Sequence, residues 1–164
     1  MSRSTSAKPA TDADTAPESG AVLLRPHHVL CAIGWAGRGY SPAFSRNMDR
    51  VVMGRLRRDP ATPVQFVAGA DSICAPCPHR RGQGCASAER IAGLDGAHGA
   101  ALGVAPGEAM TWSQAEARAR RLDPDDLDRI CAACQWLPLG LCKSALAALK
   151  AAESENAAPH GTAS

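Results

Sequence analysis

The sequence predicts a small, mainly α, cysteine-rich single domain. Its 164 residues are 45% hydrophobic and 21% charged, which is ordinary for one globular unit. Most apolar residues recur at helical spacing, and only two short segments alternate as strands do. Seven cysteines in so short a chain are the third observation. We therefore expect about five or six short helices and at most a two-stranded β element.

Both ends of the chain are poor in large apolar side chains. Residues 1–20 and 153–164 cannot bury enough surface to offset the entropy of ordering them, so we expect a disordered N-terminal arm and a disordered C-terminal tail. The folded domain is then residues 21–152. No segment approaches the roughly 18 to 20 apolar residues of a membrane helix, and the N-terminus lacks the apolar core of a secretion signal. These features predict a cytoplasmic protein that does not contact membranes.

The first half of the domain carries clear helix boundaries. Pro26 suits the first turn of a short helix, which Gly34 or Gly37 ends. Ser41 is a good N-cap with Pro42 after it, and an amphipathic helix follows as far as the Asp-Pro pair at positions 59 and 60. The segment 63–69 then alternates as a strand, with residues 108–112 as its expected partner.

The second half reads as further helices. Residues 87–103 carry a helical apolar stripe interrupted by glycines, on which His98 is expected to be a core histidine with its hydrogen bonds satisfied. Thr111 and Gln114 form a possible capping box, and Asp123 caps the next helix. A last helix is predicted from about Cys142 to residue 152.

Six of the seven cysteines form two triplets with the same spacing. We call Cys74, Cys77 and Cys85 the first arm, and Cys131, Cys134 and Cys142 the second arm. In each arm two residues separate the first two thiols and seven separate the last two. An odd number of cysteines in a reducing compartment argues against a disulfide framework. Two thiols separated by two residues bind metal in zinc knuckles and iron–sulfur proteins, so both arms are predicted to bind metal and to stabilise the fold through it.

Each arm has three possible metal ligands, one fewer than the usual four. The segment 27–31 can supply the missing ligands. Cys31 lies four residues after His27 and three after His28, so a helix places all three on one face. We predict that Cys31, with His27 or His28, completes the coordination. For each histidine the alternative stays open that it only bonds backbone or a carboxylate at the start of the helix.

The spacing leaves the metal open. The 53 residues between Cys77 and Cys131 exceed the roughly 15 to 20 of the commonest four-thiolate zinc layout. Neither arm matches the cysteine runs of ferredoxins either. We expect an iron–sulfur cluster, 4Fe-4S before 2Fe-2S, with zinc as the alternative.

Several long blocks of the chain resemble one family. They are "LRPHHVLC", "GRGYSPAFSRNMDRVV", "DSICAPCP", "MTWSQA" and "DLDRICAACQWLPLGLC". Through them the chain resembles domain-of-unknown-function family 1284, small bacterial and archaeal proteins for which iron–sulfur binding has been suggested. The positions that match the family pattern are Arg25, Pro26, His27, His28, Cys31, Asp71, Cys74, Cys77, Cys85, Cys131, Cys134, Trp136, Pro138, Gly140 and Cys142. Gln135 departs from the proline common there, which leaves the ligands intact.

Three functions follow as expectations. The first is a cytosolic iron–sulfur protein in electron transfer or redox sensing, with a redox partner protein; the second is a zinc domain that binds a partner. The third is a metal-dependent enzyme in which Arg25, His27 and His28 hold an anionic substrate beside an open metal position. A cluster held by only one three-cysteine arm, with a pocket beside it, would favour the third. No catalytic residue is identifiable, and a net charge of +2 argues against nucleic acid as a partner.

Overall fold

The computed structural model describes residues 20–157. The predicted disordered arm therefore lies outside the described residues, apart from Gly20, and so do residues 158–164 of the predicted tail. The first residues of that tail, 153–157, continue the last helix. Two of these five residues are glutamate and one is alanine, and both residue types favour helix even where it is exposed.

The described residues confirm a mainly α domain. They form six α-helices: α1 (His28–Ile33), α2 (Pro42–Met48), α3 (Ala88–Leu102), α4 (Trp112–Arg120), α5 (Leu127–Ile130) and α6 (Leu141–Ala157). Helix α2 continues directly into a π-helical segment, Asp49–Leu56. None of the helices in the described part of the chain is both long and apolar enough to cross a membrane.

The β structure is larger than the two strands expected. The strands are β1 (Val22–Leu24), β2 (Pro63–Phe66), β3 (Arg80–Arg81), β4 (Gly84–Cys85) and β5 (Ala109–Thr111). The predicted pairing of β2 with β5 is present, and it is antiparallel, with Val64 opposite Met110. Strand β1 adds a parallel third strand, and β3 and β4 form a separate hairpin. Strands of two or three residues are too short to show an alternating pattern in sequence.

N-caps that the sequence predicts are present at the starts of the helices. The Ser41 hydroxyl accepts a hydrogen bond from the Phe44 backbone N–H. Thr111 and Gln114 form the full capping box at the start of α4. Each cap satisfies backbone N–H groups that the first helical turn leaves without partners.

One close approach between helices positions the cysteines. Helices α1, α4 and α6 pack against one another. At Gly34, which ends α1, a Cβ atom would lie 2.6 Å from the Cys142 Sγ and 2.9 Å from its Cα. Only glycine allows this contact. The contact brings the first turn of α6, with Cys142, against the helix that carries Cys31.

Candidate metal centre

Four thiols line one small cavity: Cys31 of α1 and all three cysteines of the second arm. The volume of this cavity is about 20 Å³. Cys131 is buried and the other three are partly buried. Burial, followed by the negative charges that Cys142, Cys134 and Cys131 would carry, raises the pKa of the Cys31 thiol well above its usual value. We call this group the four-thiol site.

The second arm reaches the site through two tight turns. Helix α5 ends at Ile130, directly before Cys131, and the Cys134 backbone N–H donates to the Cys131 carbonyl at 2.8 Å. A short 3-10 turn, Leu137–Leu139, then ends at Gly140, whose φ of 67° is in the left-handed region. Glycine adopts that conformation without strain, and α6 starts at the next residue. The chain therefore returns Cys142 to the cavity.

The thiols of this site have raised pKa values. Burial and the neighbouring thiolates raise the pKa of Cys131 to about 12, and burial with Cys134 raises that of Cys142 to about 11. Without a cation these groups are neutral thiols at pH 7. A bound metal stabilises the thiolates, so its binding would release protons.

The spacing of the sulfurs favours a centre wider than one ion. A tetrahedral zinc site with Zn–S bonds of about 2.3 Å places its sulfurs about 3.8 Å apart. Among residues 20–157, no three of the thiols have all their sulfurs within 4.8 Å of one another. Four cysteine thiolates are also the usual ligand set of a 4Fe-4S cluster. The four donors are therefore of the kind that holds an iron–sulfur cluster, and their sulfurs lie farther apart than a single zinc ion requires.

The first arm lies elsewhere, since Cys74, Cys77 and Cys85 do not line this cavity. The Cys77 backbone N–H donates to the Cys74 carbonyl at 2.9 Å, and the β3–β4 hairpin then pairs Arg80 with Cys85. Burial raises the pKa of Cys77, and the nearby Cys85 adds to the shift. The two arms thus do not converge on one centre.

Asp71 anchors the first arm. Its Oδ2 accepts hydrogen bonds from the Arg25 backbone N–H at 2.6 Å and from His28 Nδ1 at 2.5 Å. Its Oδ1 accepts from the backbone N–H groups of Ile73 and Cys74 at 2.9 and 3.0 Å. Burial alone would raise the pKa of Asp71, but His28 and the backbone donors hold it well below its usual range.

One ligand atom from each of His28, Asp71 and Cys74 lies within 4.8 Å of the others, as in a metal site. However, a carboxylate has about four lone-pair positions, and those of Asp71 are all used. We therefore interpret Asp71 as a structural anchor that orients His28, not as a metal ligand.

A second carboxylate, Asp95 of α3, holds His27. Asp95 accepts from Arg25 Nε at 2.7 Å and from His27 Nδ1 at 2.6 Å. Burial, followed by the charge of His28, lowers the pKa of His27 to about 4 in spite of Asp95. His27 is then neutral, with its proton on Nδ1 and a lone pair on Nε2, as in histidines that a carboxylate orients towards a metal.

Both histidines thus have the carboxylate partner that the sequence left open as an alternative, and His27 also lines the cavity. The sequence did not single out Asp95. The only sequence feature that could have indicated a role for Asp95 is its charge within a predicted helix of mostly small and apolar residues.

His98 also belongs to this neighbourhood. It is buried, as expected for a core histidine, and its Nδ1 donates to the Leu94 carbonyl at 2.7 Å. Its Nε2 lies 3.2 Å from the Cys131 Sγ, where it accepts from the thiol. The helical stripe predicted its burial, but only the packing of α3 against α5 shows its contact with the second arm.

Comparison with known proteins assigns the chain to a family. No curated protein matches the chain, and no solved structure does. A family model does match, over residues 39–140, a segment that contains the first arm together with Cys131 and Cys134. This segment is more than half of the chain, so the chain belongs to the family described as Protein of unknown function (DUF1284).

Proposed function

We propose that this is a cytosolic iron–sulfur protein whose 4Fe-4S cluster is held by Cys31, Cys131, Cys134 and Cys142. The observation that carries the proposal is the four-thiol site, in which distant segments bring four cysteines around one cavity at a spacing wider than a single zinc ion requires. Its role is electron transfer or redox sensing.

The surroundings of the site suit a redox centre. Leu30, Leu94 and Leu137 line the cavity together with Trp136, so the walls around the sulfurs are largely apolar. A bound cluster would supply one-electron chemistry, while the burial of its ligands would tune its potential. Leu139, which is 44% exposed in the turn of the second arm, offers a redox partner an apolar contact close to the cluster.

The test is anaerobic purification, followed by a visible spectrum and analysis of iron, sulfide and zinc in one sample. We expect brown protein with matched iron and sulfide that bleaches on reduction. Cys31→Ser should lose most of this absorbance, because it removes one of four ligands. Colourless protein with stoichiometric zinc would contradict the proposal and would support the zinc-binding interaction domain instead.

A further inference from the structure

A larger pocket opens directly beside the four-thiol site. Its volume is about 110 Å³, compared with about 20 Å³ for the small cavity. Cys31, Cys134 and Cys142 line both this pocket and the small cavity. A molecule in the pocket would therefore lie against three of the four sulfurs.

Aromatic rings form much of the wall, and their polar atoms are already bonded. Tyr40 lies edge-on to Phe44 and to Trp136, each with ring centroids 5.2 Å apart. The Trp136 indole N–H donates to the Tyr40 hydroxyl at 2.9 Å, and the Trp35 indole N–H donates to Asp49 at 2.8 Å. The remaining ring surface is apolar and held in place, which suits a flat apolar ligand.

The charges in the pocket are positive only. Arg38 and Arg90 line it, and no aspartate or glutamate does. Within residues 20–157 neither arginine forms an ion pair, although Arg90 donates to the Ala133 carbonyl at 3.2 Å, beside the second arm. A guanidinium fork without a carboxylate partner matches the two oxygens of a carboxylate ligand.

We propose that this pocket binds a small aromatic carboxylate, with its ring among Tyr40, Phe44 and Trp136 and its carboxylate on Arg90. Arg38, at the exposed rim, adds a second positive charge. The binding itself needs only the pocket, whereas an effect of the ligand on a cluster rests on the function proposed above. The ligand would be the substrate or the signal that the redox centre senses.

Calorimetry on the anaerobically purified protein tests the binding with three probes. Phenylacetate carries both ring and charge, phenylacetamide only the ring, and acetate only the charge. We expect phenylacetate to bind at least about ten-fold more tightly than either of the others, because a charge-assisted hydrogen bond contributes about 1.5 to 3 kcal/mol. Absent phenylacetate binding, or equal binding of phenylacetate and phenylacetamide, would overturn the inference.

Variants locate the carboxylate. Arg90→Gln should weaken phenylacetate binding by about ten- to a hundred-fold and leave phenylacetamide unchanged, since it removes the charge and keeps a donor. Arg38→Gln should act in the same direction with a smaller factor. The matched control is Arg58→Gln, at an exposed arginine that does not line the pocket. Loss of affinity in the control equal to that in Arg90→Gln would overturn the assignment.

Iron and sulfide measured in the same samples separate the two proposals. Brown protein that does not bind phenylacetate overturns the pocket inference alone, and colourless protein that binds it overturns the cluster alone. In brown protein, saturating phenylacetate should shift the visible circular dichroism of the cluster, because three of its ligands line the pocket. An unchanged spectrum at saturation would place the ligand elsewhere.

Discussion

The two cysteine arms share one spacing but lie in different surroundings. The second arm winds through α5, a 3-10 turn and the start of α6, and Cys31 joins it from α1. The first arm is a turn followed by a two-stranded hairpin, and its first cysteine is tied to Asp71 through a backbone hydrogen bond. The same cysteine spacing therefore belongs to the four-thiol site in the second arm and to a turn and a hairpin in the first arm.

The spacing of the cysteines is the same in both arms, so it does not determine whether a fourth thiol lies beside them. The segment that packs against each arm determines this. The second arm packs against α1 and so gains Cys31. The first arm packs near His28, but Asp71 already binds Nδ1 of that histidine. The following predictions test this contrast.

Removing a thiol should change the iron content in the second arm but not in the first. Cys134→Ala takes a ligand from the four-thiol site, and metal binding of this kind contributes several kcal/mol to folding. We expect loss of nearly all cluster iron and sulfide and a strongly lowered midpoint of thermal unfolding. The matched variant Cys77→Ala should keep that iron. Equal iron losses in the two variants would mean that the arms share one centre after all.

Acidification should destabilise the protein through His27. Its pKa of about 4 in the fold is below the 6.5 of the unfolded chain, so between these values the unfolded chain binds the proton more tightly. Stability should therefore fall as the pH drops from about 6.5 towards 4, by on the order of 3 kcal/mol.

Urea denaturation at pH 7, 5.5 and 4.5 measures this effect. His27→Asn keeps a donor for Asp95 but does not titrate, so its stability should depend less on pH. The same pH dependence in the variant and the parent protein would assign the effect to other groups.

A methyl group at position 34 should disturb the second arm only. In Gly34→Ala the new Cβ would overlap the Cys142 Sγ and Cα, which should cost about 2 kcal/mol in unfolding free energy and lower the iron content. Gly96→Ala in α3 is the control, because nothing lies within 4 Å of its Cβ position. It should stabilise the protein by up to about 1 kcal/mol. A harmless Gly34→Ala would show that α1 and α6 can separate without loss of the site.

The contact between the two arms should contribute least. The Tyr40 ring lies between His79, which follows the second thiol of the first arm, and Trp136 of the second arm, at centroid distances of 4.8 and 5.2 Å. Tyr40→Phe removes the acceptor of the Trp136 N–H and should lower the unfolding free energy by about 1 kcal/mol without loss of iron. Iron loss in this variant would reveal coupling between the arms.

Local patterns predicted much of the secondary structure. Ser41, Thr111 and Asp123 act as caps where the sequence placed them, because capping depends on residues only a few positions apart. The strand at 63–66 and its partner were also recognisable from alternation. The sequence alone likewise predicted the family and the likeness of the two arms, since both are visible as linear motifs.

Only the tertiary structure decided which cysteines meet. The grouping of Cys31 with the second arm depends on α1 packing against α6 through Gly34, a contact between residues more than a hundred positions apart. The carboxylate partners of the histidines also come from other segments, with Asp95 68 positions after His27 and Asp71 43 positions after His28. Closing such long loops costs conformational entropy, which burial across the whole core offsets. No local sequence pattern therefore predicts which of these groups come into contact.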